Sequence, residues 1–261
     1  MKHAPSIAMR ELRSMFVSPV AYGVLSLFAA LSGLFFVLSV AAYNARTVQM
    51  RQFQAFDQLA MMNLNDWLIM GFYQTMSFIM VFLIPAITMG LFVSEKTNGT
   101  QELLMTSPVT IWDIVFGKFA AAALFVAILV AMVGAYPGLL FLYGDPEVGK
   151  TLTGLLGVLL VGWTYVAIGV FASSVTRSQV VSFLVAMVLL MVMMLAPAIA
   201  GLGIVAGVEG GDAIFRWLSS EGHSMKLMEG LVDTGDLVYF VVIIGSFLLM
   251  TRAAVESVRW R

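Results

Sequence analysis

Six long runs without a charged residue divide this chain, and they constrain its fold more than any other feature. The uncharged runs cover residues 20–43, 68–94, 119–144, 151–176, 178–208 and 237–251. About 20 apolar residues in a helix cross the roughly 30 Å hydrocarbon core of a bilayer. Lipid cannot satisfy open backbone groups, so each run is expected to be helical. The sequence therefore predicts an all-α integral membrane protein with six transmembrane helices.

The fifth and sixth runs are the least regular of the six. The fifth is long enough to tilt, kink or break, and Pro197, Gly201, Gly203 and Gly207 lie in its outer half. The sixth is the shortest and needs Arg252 to snorkel towards the membrane surface.

The composition excludes several classes of protein. Only 11% of the residues are charged, against about 25% in a soluble domain, and 61% are hydrophobic. The net charge of −1 argues against nucleic-acid binding, which needs an excess of lysine and arginine. Cysteine is absent and only two histidines are present, so no disulfide, thiolate metal site or catalytic centre is indicated. We predict a single membrane domain over residues 1–261.

The distribution of lysine and arginine predicts the orientation. With the N-terminus inside, the inner segments are residues 1–19, 95–118, 177 and 252–261, and they hold nine of the 14 basic residues. The outer segments hold the other five. The positive-inside rule therefore favours an N-in, C-in arrangement. The centres of the runs carry no ionisable side chain, which argues against a proton-coupled transporter or a charged-ion pathway.

An amphipathic segment precedes the first run. Its apolar side chains, Ile7, Ala8, Leu12, Met15 and Phe16, share one helical face. Ser18 and Pro19 then end the helix. This pattern predicts an interfacial helix on the inner leaflet, the alternative being a solvated extension of the first span.

The longest inner loop, residues 95–118, carries an unusual pattern. Gly99-Thr100 indicates a turn and a helix start, and Ser107-Pro108 indicates the end of that helix. The short helix between them would present Leu103, Leu104 and Met105. Thr110 and Asp113 then form a capping box that opens the next helix. Exposed leucines at the inner face fit either a loop folded back onto the bundle or a docking surface for a cytosolic partner.

The outer segment, residues 209–236, is too polar to span a membrane. Phe215, Trp217 and Leu218 suggest one short helix, and residues 224–232 suggest a second. We expect this segment to be either interfacial or re-entrant.

A phosphate-loop pattern is present but misplaced. Residues 144–151 match Gly-x-x-x-x-Gly-Lys-Thr, yet the match lies between two membrane-length runs on the predicted outer side. A phosphate loop needs a preceding strand and a following helix. We therefore expect no nucleotide to bind here and interpret residues 144–146 as a tight turn.

The inner loop resembles the corresponding loop of type-2 ABC exporter permeases. The similar residues are Glu95, Gly99, Thr100, Glu102, Leu103, Leu104, Ser107, Pro108, Val109, Gly117 and Lys118. The N-terminal segment, with Glu11 and residues 18–22, is similar to the elbow helix of that family. His223, Gly230, Val232, Asp233 and residues 236–240 resemble the branch that includes gliding-motility-associated (Gld-type) permeases. The nitrous-oxide-reductase maturation permeases are a close alternative branch.

The resemblance implies roles for particular residues. The coupling helix that docks on the ATPase would involve Glu95, Gly99, Thr100, Glu102, Leu103, Leu104, Met105, Ser107 and Pro108. The elbow helix would use Leu12, Met15 and Phe16, and the outer segment would use Trp217, His223 and Asp233.

The resemblance also implies the function and the partners. The chain would be the non-enzymatic permease subunit of an ATP-driven exporter in a bacterial inner membrane. It would bind no cofactor itself, because ATP and Mg²⁺ would be held by two separate ATPase subunits. A second permease, identical or related, would complete the pair, with lipid around it and an envelope accessory protein as a further partner.

An alternative function leaves the fold unchanged. The chain would then be a non-transporting scaffold that transmits ATPase motion to an envelope protein through the outer segment.

Overall fold

The computed structural model describes residues 3–54, 57, 62–100, 109–202 and 211–257. Within these ranges the ordered elements are helices, and no strand occurs. The helices are α1 (Ala4–Val17), α2 (Pro19–Gln52), α3 (Asn65–Thr97), α4 (Ile111–Leu140), α5 (Val148–Val175), α6 (Gln179–Gly201), α7 (Gly211–Leu218), α8 (Ser220–Met228) and α9 (Thr234–Ser257). Six of these, α2 to α6 and α9, are long and apolar enough to cross a membrane. The prediction of an all-α membrane protein with six spans is confirmed.

The helices run past the ends of the uncharged runs. Residues 95–97 continue α3, and residues 111–118 form the first two turns of α4, although the sequence analysis placed both in the inner loop. The helix α9 likewise begins at Thr234, before the run that starts at residue 237. Charged side chains are tolerated at these helix ends because neighbouring helices, rather than lipid, surround them.

Two helix starts follow the predicted signals. Ser18 is extended, with φ −76° and ψ 131°, and its Oγ accepts a hydrogen bond from the backbone N–H of Val20 at 3.3 Å. Pro19 then occupies the first position of α2, where its missing N–H costs nothing. At the start of α4, Thr110 Oγ1 accepts from the Asp113 N–H at 3.2 Å, and the Asp113 side chain accepts from the Thr110 N–H. The predicted capping box is confirmed.

The helix α5 lies at the centre of the bundle. It packs against α3, α4, α6, α8 and α9. Glycines on α5 let its neighbours approach closely: Gly154 faces Tyr73, Gly162 faces Val126, and Gly169 faces Thr88. Small residues at such contacts are the usual means of close helix packing in membranes.

The helices α2 and α6 lie at the flanks of the bundle. Phe28 and Ser32 are buried on α2, but most of its side chains are exposed. The Ser32 hydroxyl donates to Tyr136 Oη at 3.2 Å and so joins α2 to α4. Pro197 lies inside α6, which ends at Gly201, while Gly203 and Gly207 fall outside the described residues.

Residues of the phosphate-loop pattern hold the outer ends of α3 and α5 together. Lys150 Nζ lies 3.5 Å from Asp66 Oδ1 and 3.4 Å from Glu147 Oε2. The Asn65 side-chain amide donates to Thr151 Oγ1 and to the Glu147 carbonyl, each at 3.1 Å. These contacts give the lysine and the threonine of the pattern a structural role.

Gly169→Ala should destabilise the bundle, because a Cβ at this position would lie 2.1 Å from Thr88 Oγ1. Overpacking of this kind costs about 1–3 kcal/mol, which should lower the midpoint of thermal unfolding in detergent. The matched control is Gly71→Ala, where a Cβ meets nothing within 4 Å and should leave the midpoint equal or higher. Equal midpoints for the two variants would contradict the proposed close contact.

Candidate functional site

A buried lysine joins three elements at the inner end of the bundle. Lys118 on α4 is 1% exposed, and its Nζ lies 2.8 Å from Glu95 Oε1 on α3 and 3.5 Å from Glu11 Oε1 on α1. The same ammonium group donates to the Leu91 carbonyl and lies 5.1 Å from the centroid of the Phe92 ring. We call Lys118, Glu11 and Glu95 the inner ion cluster.

The local sequence places Lys118 within reach of α1. The capping box at Thr110 fixes where α4 begins, and Lys118 follows two turns later. Gly117 beside it lets α1 approach, since a Cβ there would lie 2.7 Å from Ile7 Cγ2 and 3.1 Å from the Ala4 carbonyl oxygen. The glycine and the lysine therefore act together, one by removing bulk and the other by supplying charge.

A second lysine ties the end of α3 to α5. Lys96 Nζ donates to the carbonyls of Ser174 and, at 2.9 Å, of Thr176. These carbonyls lie at the C-terminal end of α5, where the helix dipole favours a cation. Close by, the Phe92 N–H donates to Ser173 Oγ at 3.0 Å. The end of α3 is thus held to α4 through Glu95 and to α5 through Lys96, and Lys118 links it onward to α1 through Glu11.

The described ends of the inner loop are well defined. Gly99 has φ +68°, a left-handed conformation that favours glycine after a helix. The Thr100 N–H donates to the Glu95 carbonyl at 3.1 Å. Three predicted docking residues, Glu95, Gly99 and Thr100, therefore lie at the point where the loop leaves α3. The others, Glu102, Leu103, Leu104, Met105, Ser107 and Pro108, lie outside the described residues.

The predicted elbow residues pack against the bundle. Leu12, Met15 and Phe16 of α1 are partly buried against the core. The Phe16 ring lies 5.6 Å from the ring of Phe125 on α4, centroid to centroid. Because Glu11 and the apolar face both contact the bundle, α1 is joined to it by charge and by packing together.

The outer segment forms two helices, of which α7 packs against α6 and α8 packs along α5. Gly157 faces Leu227, Gly154 faces Met228, and Gly230 faces Lys150, so α8 runs antiparallel to α5. At its other end, Ser220 lines a cavity together with Tyr165. At 1.5 Å per residue, Tyr165 lies about 25 Å from the start of α5. The helix α8 therefore reaches past the middle of the bundle.

A second buried charge joins the outer segment to α9. Asp236 is 2% exposed, and its Oδ1 lies 2.6 Å from His223 Nδ1 and 3.2 Å from Lys226 Nζ. His223 Nε2 lies 3.2 Å from the Trp217 carbonyl oxygen. Both ring nitrogens therefore lie within hydrogen-bond distance of an oxygen atom. We call Asp236, His223 and Lys226 the outer ion cluster.

Aromatic packing surrounds this cluster. The His223 ring stacks on Tyr239, with centroids 4.0 Å apart, and Trp217 meets the same ring edge-on at 5.2 Å. The Tyr239 hydroxyl donates to the Leu218 carbonyl at 2.7 Å. The predicted residues Trp217 and His223 thus lie together. Asp233 lies apart and accepts from the Gly235 N–H at 3.0 Å, at the start of α9.

The charges that organise both clusters were not predicted as ion pairs. Lys96, Lys118 and Lys226 counted only towards the orientation or the family resemblance, and neither Glu11 nor Asp236 was assigned a partner. A lysine in the second turn of an apolar helix is the signal that could have identified Lys118, because such a charge needs a partner. No comparable pattern marks Lys226, whose partner lies ten residues along the chain.

Lys118→Met should destabilise the protein, because it leaves Glu11 and Glu95 without their shared cation. Breaking a buried ion pair on one side costs about 3–5 kcal/mol. The matched control is Lys150→Met at the half-exposed outer pairs, which should lower stability much less because solvent screens these charges. Thermal unfolding of the two purified variants in detergent measures the loss of stability in each. Equal losses of stability would contradict the importance assigned to the inner ion cluster.

Asp236→Asn should loosen α8 from α9, because it weakens the contacts of Asp236 with His223 and Lys226 on α8. The chain contains no cysteine, so Ser224→Cys introduces a single buried probe on α8. Maleimide should label this probe faster in the Asp236→Asn background. Asp233→Asn changes an exposed carboxylate three residues away and should leave the rate near that of the Ser224→Cys parent. Equal rates in both backgrounds would show that Asp236 does not hold α8.

Comparison with known proteins gives one family. The model of the ABC-2 family transporter proteins matches residues 6–252, which is nearly the whole chain. A search of curated proteins finds no match.

Proposed function

We propose, from the membership of this chain in the ABC-2 transporter family, that it couples ATP hydrolysis by separate ATPase subunits to export across a bacterial inner membrane. The family establishes the chain as a multi-pass membrane permease component of an ABC transporter. The observation that carries the coupling proposal is the attachment of the inner loop, because Glu95, just before the loop leaves α3, belongs to the inner ion cluster. A force applied to that loop has direct contacts through which to reach α1, α4 and α5.

The proposed path of the force starts at the end of α3. Glu95 meets Lys118 at 2.8 Å, and Lys96 holds the last carbonyls of α5. An ATPase that displaced residues 98–110 would pull on both contacts at once. Because α5 packs against most of the bundle, a shift of its inner end would change several helix contacts together. The helices need supply no chemistry of their own for this step.

The proposed assembly has two ATPase subunits and two permeases. The basic residues favour an orientation with both termini in the cytosol, which places the inner ion cluster on the ATP side. The exposed flanks of α2 and α6 leave apolar surface for lipid and for a second permease. Within the family, we propose the gliding-motility-associated branch, on the residues around His223 and Asp236, and we propose that α7 and α8 are re-entrant.

Leu103→Asp combined with Leu104→Asp should abolish docking of the ATPase, because two carboxylates would enter an apolar contact. The tagged permease is purified from membranes of its own host, and the rate of ATP hydrolysis in the eluate is measured. We expect the double variant to insert normally and to lose at least nine-tenths of the co-purifying activity.

The matched control for this experiment is Leu231→Asp combined with Val232→Asp. Both residues are exposed on the opposite side of the bundle. This variant introduces the same charges and should keep the co-purifying ATPase. If the inner double variant retained its ATPase activity at the control level, the docking assignment would be wrong.

A further inference from the structure

A cavity lies within the helix bundle, between α3, α5, α6 and α8. Its volume is about 40 Å³, enough for a few water molecules or one small polar group. The polar lining residues are Gln74, Ser77, Tyr165, Ser220, Glu221 and Ser224, and the apolar ones are Phe78, Val161, Met194 and Met228. The cavity reaches the surface beside the exposed side chains of Phe78 and Glu221.

The carboxylate of Glu221 forms no ion pair with the described side chains. Among residues 3–54, 57, 62–100, 109–202, 213–215 and 217–257, no cation is within ion-pair distance of it. Glu221 follows Ser220, which lines the cavity opposite Tyr165, more than halfway along α5. A charged side chain at such a depth is costly unless it faces a polar cavity or a ligand.

A second polar group in the same cavity also lacks a partner among the described residues. The Ser77 hydroxyl oxygen is buried and makes no hydrogen bond to any of them. Buried hydroxyls are normally satisfied, so an unpaired one indicates a ligand or an ordered water. Ser224 is different, since its hydroxyl already donates to the Glu221 carbonyl at 3.0 Å.

The apolar side of the cavity indicates the class of ligand. Phe78 is 46% exposed, and its ring is available at the mouth of the cavity. Aromatic faces attract organic cations, ammonium groups among them. Met194 and Met228 add flexible thioethers, which adapt to ligands of differing shape.

We propose that this cavity binds the ammonium group of an amphipathic organic cation, with Glu221 as its counter-ion and Phe78 against its apolar body. A hard inorganic cation fits less well, because it prefers six or more oxygen ligands and the cavity offers one carboxylate. The proposal deepens the exporter function. It rests on that function, because only in an exporter would binding here amount to recognition of cargo. The binding itself requires no ATPase.

The test measures binding to the full chain alone, in lipid nanodiscs, by isothermal titration calorimetry. The probe is benzylammonium chloride, and benzyl alcohol, of nearly the same size, is the neutral comparison. We expect the cation to bind and the dissociation constant to rise at least tenfold in Glu221→Gln. Glu229→Gln removes an exposed carboxylate two turns along, outside the cavity, and should leave the constant unchanged.

A second variant tests the cavity without changing charge. Met194→Phe adds bulk to the lining and should also weaken binding of the cation, while thermal unfolding shows that both variants are folded. The proposal is overturned if the cation gives no binding heat, if Glu221→Gln binds it as tightly as the parent, or if benzyl alcohol binds equally well. Since no ATPase is present, failure of the docking experiment on Leu103 and Leu104 would leave this result unaffected.

Discussion

The ion cluster around Lys118 is the interaction on which the inner half of the structure depends. Three segments distant in sequence contribute one charge each, and the lysine is removed from solvent. A buried ammonium with two carboxylates is stable only as a set, because losing one member leaves uncompensated charge. The elbow helix α1 and the ends of α3 and α4 are therefore fixed relative to one another. These contacts fix the point at which the inner loop leaves α3.

The central helix α5 connects the end of the bundle near the inner ion cluster with the opposite end. Glycines at Gly154, Gly162 and Gly169 allow close neighbours, and Gly157 accepts α8. The same helix thus contacts Lys96, which binds its last carbonyls, at its inner end and α8 along its outer half. A displacement at one end has a packed route to the other, because close contacts leave little room for compensation.

Local signals in the sequence predicted the elements well, and long-range contacts account for what they missed. Uncharged runs identified six spans, and Ser18-Pro19 and the Thr110 capping box located two helix starts, because each depends on neighbours in sequence. Defining spans as uncharged runs placed Lys118 in a loop, since every charged residue is then taken as the end of a span. Only the fold shows that Glu11 and Glu95 neutralise this lysine. The depth of α8 was equally hidden, because the polar segment 209–236 is accommodated by contacts with α5 and α9.

The pairing of Glu11 with Lys118 has a consequence for biogenesis. The two residues are 107 positions apart, so the carboxylate emerges long before its partner exists. At 5–20 residues per second, the interval is about 5–20 s. During this time α1 has no cluster to join and can rest on the membrane surface by its apolar face. Its docking therefore marks the moment when the third span has entered the membrane, which orders the assembly of the inner half in time.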